Sequence, residues 1–265
     1  MTRIAVSGAA GRMGQALVRC ACSLPTVQLV AALEQAGHAA LGRDAGAVAG
    51  LEPCGVRITD DTEAVRAADV LIDFTMPSAA PGNAALAASL DKGFVLGTTG
   101  LDREESQAVR EAARRIPIVW SPNMSLGVNL LFALVAKAAG VLGLEYDVEI
   151  IETHHRHKKD APSGTALRLA QKVAEGRGQD CAQVIAHGRH GMTGERPSGQ
   201  IGLHAVRAGD AVGEHTVLFA TEGERLEFSH RATSRNAFAM GALHAAIWLT
   251  GRPPGLYDMQ DVLGF

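Results

Sequence analysis

The stretch of sequence that decides the fold lies near the start of the chain and reads Gly8-Ala9-Ala10-Gly11-Arg12-Met13-Gly14. An apolar run at residues 3–7 precedes it, and a helical pattern of apolar residues spans about residues 12–23. A second apolar run, at residues 27–33, ends at Glu34. Strand, glycine-rich turn, helix, strand and acid in this order are typical of a dinucleotide-binding βαβ unit.

The glycines at positions 8, 11 and 14 follow a GxxGxxG spacing rather than GxGxxG. Such a turn alone is a weak signal, because ordinary strand–helix connections also use it. Its physical role is unchanged, since a tight turn lets the backbone approach a pyrophosphate at the N-terminus of the helix. The complete βαβ context with its terminal acid favours dinucleotide binding over an ordinary connection.

The choice of cofactor depends on the end of the second strand. Glu34 lies 20 residues after Gly14, where a carboxylate can accept hydrogen bonds from ribose hydroxyls. Gln35 follows it, and the next cation along the chain is Arg43. A 2′-phosphate would therefore meet a carboxylate with no adjacent cation, although Arg12 could still contribute. The sequence predicts NADH or NADPH as the cofactor and favours NADH.

Alternation of strands and helices continues to about residue 120. Apolar runs at 56–58, 69–74, 94–97 and 116–120 predict further strands, with helices from about 77 to 90 and over 102–115. Ligands bind outside the carboxyl ends of parallel strands. The cofactor is therefore expected at the residues that follow two of these strands, Gly97-Thr98-Thr99 and Ser121-Pro122-Asn123-Met124. Plain strand-exit turns are the alternative interpretation, and it fits Thr75 better than the glycine–threonine trio.

The second half of the chain has a different pattern. A long apolar helix at 126–142 leads into longer strands, with one helix at about 164–175 and a hairpin around residues 222–224. The last apolar helix, at 237–249, is expected to return to the first domain. The predicted fold is α/β, with a Rossmann-like parallel-sheet domain (1–125 and 236–265). The second predicted domain (126–235) is a C-terminal α+β domain, which we expect to have a mixed, mostly antiparallel sheet and to bind the substrate.

Six successive residues that can carry positive charge, His154 to Lys159, follow a strand-like run and precede a helix start at Ser163. Reduction of a C=C or C=N bond needs a proton donor whose pKa lies near neutrality, so His is the first candidate and Lys the second. The helix N-terminus, with Ser163, Gly164 and Thr165, is suited to hold a carboxylate of a small dicarboxylate substrate. In an extended segment, alternate side chains of this tract would share a face.

Two other interpretations of this tract are weaker. A metal site is disfavoured because neighbouring side chains of a strand diverge, and because Arg156 and Lys158 would repel a cation. A solvated basic turn remains possible, although it does not explain why the cations lead straight into a helix start. No metal is predicted.

The composition limits the classes of function. The 265 residues are 47% hydrophobic and 20% charged, and the formal charge of −3 argues against a nucleic-acid binder. The four cysteines have neither a CxxC nor a zinc-ribbon spacing, which indicates free thiols in a reducing compartment. No signal-peptide pattern and no membrane-length apolar run occur. We therefore expect a cytoplasmic protein that does not contact membranes.

The tract from 152 to 165, E-T-H-H-R-H-K-K-D-A-P-S-G-T, resembles the substrate signature of the bacterial 4-hydroxy-tetrahydrodipicolinate (dihydrodipicolinate) reductases of lysine and diaminopimelate synthesis. This run is highly specific, whereas the glycine turn alone is not. Further matching motifs cover essentially the whole chain, at residues 6–14, 73–75, 97–100, 207–210, 212–215 and 234–235.

The resemblance implies reduction of an unsaturated cyclic imine dicarboxylate to tetrahydrodipicolinate by NADH or NADPH, in a homotetramer assembled through the second domain's sheet. By position, His154 corresponds to the family's acid/base and Lys158 to its proton donor, while His155, Gly164 and Thr165 correspond to substrate contacts. The corresponding cofactor contacts are Gly8, Ala9, Ala10, Gly11, Arg12, Met13, Glu34, Gly97, Thr98, Thr99, Ser121, Pro122, Asn123 and Met124.

The chain departs from the family at one position that bears on the cofactor. Many members carry Arg where this chain has Gln35, so a preference for NADPH is not implied. Two other functions stay open from the residues alone. One is a related amino-acid or diamine dehydrogenase, and the other is a non-catalytic nucleotide-sensing module that uses the basic tract to bind a partner.

Overall fold

A computed structural model describes all residues from 1 to 265. The chain divides into two compact units, which are described separately. Unit 1 comprises Met1–Leu126 and Arg235–Phe265, and unit 2 comprises Gly127–Ser234. No helix is long and apolar enough to cross a membrane.

Unit 1 is built on a parallel sheet of seven strands, in the order β12-β6-β5-β4-β1-β2-β3. The strands are β1 (Thr2–Ser7), β2 (Val27–Leu33), β3 (Ile58–Thr59), β4 (Val70–Asp73), β5 (Gly93–Leu96), β6 (Pro117–Trp120) and β12 (Gly255–Tyr257). Strands β4 and β5 are buried along their whole length, as expected when helices cover both faces of a parallel sheet. The predicted parallel sheet is confirmed.

The helices of unit 1 are α1 (Arg12–Ser23), α2 (Ala45–Val48), α3 (Ala80–Ser89), α4 (Arg103–Ala112), α8 (Asn236–Leu249) and α9 (Met259–Leu263). Helix α8 lies in the same hydrophobic core as α1 and β1. Close packing there requires Gly241, because a Cβ at that position would lie 1.7 Å from the carbonyl oxygen of Met124. Strand β12 and helix α9 were not predicted, because they are too short to give a periodic signal.

Unit 2 contains a five-stranded sheet in the order β11-β10-β7-β9-β8. Its strands are β7 (Asp147–His154), β8 (Ile185–His187), β9 (Ile201–Arg207), β10 (Gly213–Thr221) and β11 (Glu224–Ala232). Two neighbouring pairs are antiparallel and two are parallel, so the sheet is mixed as predicted. The predicted hairpin joins β10 to β11, where Thr221 pairs with Glu224.

Helices cover one face of this sheet: α5 (Leu126–Leu142), α6 (Gly164–Arg177) and the short α7 (Cys181–Val184). Alternate residues of β7 point toward these helices, as the two-residue period of a strand requires. Val148 and Ile150 on that face are fully buried in the apolar core. The next residue on the same face is Glu152, which is also fully buried. A carboxylate therefore occupies a position where the strand pattern calls for a core side chain.

The opposite face of β7 carries Glu149, which contacts two arginines and a histidine. Arg189 and Arg196 donate to its carboxylate at 2.8 and 3.1 Å, and the Nε2 atom of His204 lies 2.6 Å from it. Burial alone would raise the pKa of Glu149, but these partners outweigh burial and lower the pKa to about 2. Both arginines belong to the segment between β8 and β9, so the cluster fixes that segment to the sheet.

Replacement of Glu149 by glutamine (Glu149→Gln) should lower the free energy of unfolding at pH 7 by roughly 1–3 kcal/mol. Because the folded-state pKa lies below the unfolded value, this stabilisation is fully present above about pH 4.5 and is lost as the pH falls toward 2. Urea unfolding at pH 7 and at pH 3 would measure the difference. An equal loss at both pH values would contradict an ionic origin.

Candidate active site

The glycine-rich turn of unit 1 has a geometry that only glycine allows. Gly8 has a φ of +69°, and a Cβ at Gly14 would lie 2.0 Å from the carbonyl oxygen of Gly8. The amide of Gly11 donates to that same oxygen at 3.0 Å. Helix α1 begins directly afterwards, and its N-cap residue provides no side-chain hydrogen bond. The N–H groups of Arg12 and Met13 lie in the first turn of this helix. An anion such as a pyrophosphate could therefore accept hydrogen bonds from them.

The acid at the end of β2 is held against this turn. Glu34 accepts a hydrogen bond from the backbone N–H of Ala10 at 2.9 Å, and the N–H of Gln35 lies 3.3 Å from its other carboxylate oxygen. The neighbouring amide, that of Ala9, donates to the carbonyl of Leu33 at 3.0 Å. The carboxylate of Glu34 is thus fixed beside the turn, where ribose hydroxyls of a dinucleotide could donate to it.

The ends of β1, β4 and β5 also come together. A Cβ at Gly8 would lie 2.8 Å from the Cγ2 atom of Thr75, and the hydroxyl of Thr98 donates to the carbonyl of Thr75 at 3.2 Å. Gly97 lies against the ring of Phe74, which a Cβ would approach to 2.2 Å. These strand exits therefore lie side by side and form one surface.

A cavity of about 330 Å³ opens beside this surface, lined by Thr98, Thr99, Gly100, Leu101, Trp120 and Pro122. The side chains of Ser121 and Met124 are buried instead, and the Ser121 hydroxyl donates to the carbonyl of Asn123 at 3.0 Å. Glu34 belongs to a different part of the sheet, since β2 and β5 are separated by β1 and β4. The three strand spacings between β2 and β5, each about 4.8 Å, place Glu34 roughly 14 Å from the end of β5. This distance suits an extended dinucleotide.

The site of unit 2 is centred on Glu152. Its carboxylate accepts two hydrogen bonds from the guanidinium of Arg207, both at 2.9 Å, and one from the backbone N–H of Ser163 at 3.0 Å. The Nδ1 atom of His154 lies 2.5 Å from the same carboxylate. Burial raises the pKa of Glu152, but these partners outweigh burial, so its pKa lies below the ordinary value and the group is ionised.

His154 is the last residue of β7, and its side chain is 12% exposed. Its Nδ1 atom faces Glu152, and its ring meets the ring of His215 edge-on at 5.3 Å. Burial lowers the pKa of His154, and the charges of Lys158 and Arg207 lower it further, although Glu152 acts in the opposite direction. The neutral imidazole therefore prevails at pH 7.

Ser163 caps helix α6. Its hydroxyl oxygen accepts a hydrogen bond from the N–H of Ala166 at 3.2 Å, and it lies 3.2 Å from the Nε2 atom of His215. Burial lowers the pKa of His215 to about 3, so this histidine is neutral. Gly164 follows as the first helical residue, and no atom lies within 4 Å of where its Cβ would be. A ligand could therefore approach the helix N-terminus closely at this point.

Lys158 belongs to the turn between β7 and α6. Its ammonium group lies 2.8 and 2.9 Å from the two carboxylate oxygens of Asp160, and its backbone N–H donates to the carbonyl of His155. Arg207 also donates to the backbone carbonyl of Asp160 at 2.7 Å. The chain turns immediately after His154, so the prediction of alternating faces is wrong beyond that residue. Lys158 lies in this turn, and its charge lowers the pKa of His154.

The remaining residues of the tract are less closely connected. The ring of His155 lies 6.2 Å from that of His157, and its Nδ1 atom is buried without a hydrogen-bond partner. Thr165 follows Gly164 in the first turn of α6. Arg156 and Lys159 are not part of the Glu152 cluster, and their side chains give no sign of a function.

Arg207 and His215 were not predicted as members of the site, although both lie in the matching motifs 207–210 and 212–215. Strand pairing places them, since Arg207 is opposite His154 and His215 is opposite Glu152 in the neighbouring strands. Both are more than 50 residues from their partners along the chain. The alternation of side chains along β7 could have indicated them. It places Glu152 and His154 on the buried face, where polar side chains need hydrogen-bond partners.

Comparison with known proteins agrees with this organisation along the whole chain. Residues 2–124 match the family described as dihydrodipicolinate reductase, N-terminus, and residues 127–263 match the one described as dihydrodipicolinate reductase, C-terminus. The two matches together leave only a few residues uncovered.

Similar sequences and a similar structure carry related names. A 4-hydroxy-tetrahydrodipicolinate reductase from Anaeromyxobacter dehalogenans is 54% identical and covers 100% of this chain and 98% of the relative. A reductase of the same name from Hahella chejuensis is 52% identical, with 100% and 99% covered. The structure of a dipicolinate-bound dihydrodipicolinate reductase from Paenisporosarcina is 27% identical, with a TM-score of 0.77 and 98% of both chains covered.

The geometry of the glycine turn can be tested by substitution. Gly14→Ala should weaken NADH binding severely and lower stability by roughly 1–3 kcal/mol, because its Cβ meets backbone atoms that cannot move aside. Gly82→Ala is the matched control, since this glycine of α3 has open space around it, and it should raise stability by about 0.4–1 kcal/mol. Fluorescence titration with NADH and thermal unfolding measure both effects. Normal NADH binding by Gly14→Ala would contradict the assignment of the turn.

Proposed function

The chain belongs to the dihydrodipicolinate reductase family, and we propose that it reduces 4-hydroxy-tetrahydrodipicolinate to tetrahydrodipicolinate in diaminopimelate and lysine synthesis. It is an NAD(P)H-dependent oxidoreductase. The reaction replaces the 4-hydroxyl group by hydrogen, so it consumes one hydride and one proton and releases one water. The observation that carries the proposal is the buried carboxylate of Glu152, which joins His154 to the start of α6 at one site of unit 2.

Unit 1 binds the cofactor, which supplies the hydride when it is bound. The N-terminus of α1 receives the pyrophosphate, and Glu34 accepts hydrogen bonds from a ribose. The backbone of Gly97 to Thr99 and of Ser121 to Met124 lines the nicotinamide end. Support comes from the missing side-chain cap of α1 and from the cavity beside Thr98, Thr99 and Pro122.

Unit 2 binds the dicarboxylate substrate. One carboxylate is held by Ser163, Gly164 and Thr165 at the N-terminus of α6, with His155 as a further contact. The helix dipole and its first N–H groups favour an anion there. The open space beside Gly164 supports this assignment.

His154 and Lys158 move the proton. With Nδ1 directed at Glu152, Nε2 is the ring atom of His154 that can exchange a proton with the substrate. Lys158 carries the second exchangeable proton, at Nζ, and its pairing with Asp160 orients it. Two acid–base groups at one site can act on different atoms of the ring, one for loss of the hydroxyl group as water and one for the protonation that accompanies hydride addition.

The direct test is an assay of NADH and NADPH oxidation with the condensation product of pyruvate and aspartate semialdehyde, which is 4-hydroxy-tetrahydrodipicolinate. Turnover with this substrate is expected. Absence of turnover, together with NAD⁺ reduction by an amino acid or a diamine, would identify a related dehydrogenase instead. Binding of NADH without any turnover would favour a nucleotide-sensing module.

His154→Gln and Lys158→Met should each lower kcat by roughly 10²-fold or more, because each removes a proton-transfer group. The dissociation constant of NADH should change little, because both residues lie in unit 2. Steady-state kinetics and NADH titration separate the two quantities. A comparable loss of NADH affinity would mean that the tract supports the structure and does not act in proton transfer.

We propose that NADH is preferred over NADPH. Glu34 is fixed beside the turn by the N–H of Ala10, so a 2′-phosphate would meet its charge directly. Gln35→Arg should raise kcat/KM for NADPH about tenfold, which corresponds to roughly 1.4 kcal/mol. Gln28→Arg is a matched control, since this exposed position lies near the opposite end of β2. A wild-type preference for NADPH at moderate salt would overturn the proposal.

We also propose that four chains assemble through the open face of the sheet in unit 2. This face carries the apolar side chains of Ile151 and Val206, which are 40% and 41% exposed. Exposed apolar groups on a sheet face that no helix covers favour association. Light scattering coupled to size-exclusion chromatography should give the mass of a homotetramer, and a monomer at micromolar concentration would contradict it.

A further inference from the structure

We propose that Glu152 is a positioning residue of the active site, because one buried carboxylate orients His154 and fixes the start of α6 together. The inference rests on the proposed reductase function, since it assigns His154 to proton transfer and α6 to carboxylate binding. Glu152 itself does not reach the substrate, because its side chain is fully buried and both carboxylate oxygens are occupied.

The position of Glu152 is costly for the fold. It continues the buried face of β7 after Val148 and Ile150, where an apolar residue would pack against the helices. A buried carboxylate needs partners that replace its lost hydration. Two of its four hydrogen bonds come from Arg207, which supplies the compensating charge in bidentate geometry.

The remaining two hydrogen bonds connect Glu152 to the functional groups. One carboxylate oxygen faces Nδ1 of His154 at 2.5 Å, and the other accepts from the backbone N–H of Ser163 at 3.0 Å. An ionised carboxylate can only accept, so the neutral imidazole must carry its proton on Nδ1. The lone pair on Nε2 is then left for the proton that is transferred.

The structure keeps the region around Nε2 open. A Cβ on Gly213, at the start of β10, would lie 3.0 Å from this nitrogen. Glycine at that position therefore leaves space that any other residue would reduce. The ring is thus held on its Nδ1 side by Glu152 and left accessible on its Nε2 side.

The hydrogen bond from the Ser163 N–H to Glu152 fixes the part of the site where the substrate carboxylate is proposed to bind. Ser163 is the N-cap of α6, and its amide precedes the first helical N–H groups, those of Gly164 and Thr165. Fixing the Ser163 amide sets the direction of this first turn. The proton-transfer group and the carboxylate-binding helix therefore share one rigid support.

The charges that face His154 come from two strands and from the turn after β7. They are those of Glu152 on β7, Arg207 on β9 and Lys158 in the turn, while neutral His215 on β10 contacts its ring. Of these, only Glu152 favours the imidazolium form. Removal of its charge should therefore lower the pKa of His154 further, and the acid form should be lost at lower pH.

The test is ¹⁵N NMR of the histidine side chains in the full chain, which does not depend on turnover. Neutral His154 of the wild type should carry its proton on Nδ1. Glu152→Gln should produce a mixture of tautomers and should lower the pKa of His154. Its affinity for pyridine-2,6-dicarboxylate (dipicolinate), used as the probe of the α6 site, should fall about tenfold, and the limb of the kcat–pH profile that reports His154 should move to lower pH.

Glu149→Gln is the matched control. Glu149 lies on the same strand and is also paired with arginines and a histidine, but it faces away from the site. This variant should lose stability and keep the His154 tautomer and the dipicolinate affinity. A loss of dipicolinate affinity equal to that of Glu152→Gln would overturn a specific role for Glu152.

Two further results would overturn the inference. One is a proton on Nε2 in neutral His154 of the wild type, which needs no variant and so does not depend on whether Glu152→Gln folds. The other is a Glu152→Gln variant with unchanged tautomer, pKa and dipicolinate affinity. The two proposals can also be distinguished. If the wild type lacks turnover but has the Nδ1 tautomer, and Glu152→Gln changes the tautomer and the dipicolinate affinity, the result would contradict the proposed function and support the positioning role of Glu152.

Discussion

The site in unit 2 depends on one interaction, the hydrogen bonding of a buried carboxylate by four donors. Glu152 is held by Arg207 from β9 and in turn holds His154 on β7 and Ser163 at the start of α6. Burial strengthens each of these bonds, because water does not compete for them. The same burial means that loss of one partner would leave an uncompensated charge. His154 and the start of α6 are therefore fixed together.

Carboxylates organise unit 1 in a similar way. Glu34 accepts a hydrogen bond from the N–H of Ala10 in the glycine turn. Buried Asp73, at the end of β4, accepts one from the N–H of Thr75 at 2.6 Å. Burial raises the pKa of Asp73, although its hydrogen bonds oppose this. In each case an acid at a strand end satisfies a backbone donor that a loop would otherwise leave unpaired. Backbone geometry near the predicted ligand is thereby set before the ligand binds.

Much of the fold could be predicted from the sequence, because periodic apolar patterns locate the long strands and helices. The strand order and the polar partners of Glu152 could not, since they arise from pairing between segments more than 50 residues apart. Lys158 lies in a turn, which a pattern of alternating faces does not describe. The three residues of β12 are too few to show a period. Local signals therefore identified candidate residues, and tertiary pairing determined how they are connected.

The most direct measurement is a crystal structure of the chain with dipicolinate. We expect a ligand carboxylate within hydrogen-bond distance of the first turn of α6, at Gly164 and Thr165. We also expect Nδ1 of His154 to stay on Glu152 while Nε2 faces the ligand ring. A ligand bound away from α6, or a His154 ring turned away from Glu152, would contradict the proposed site.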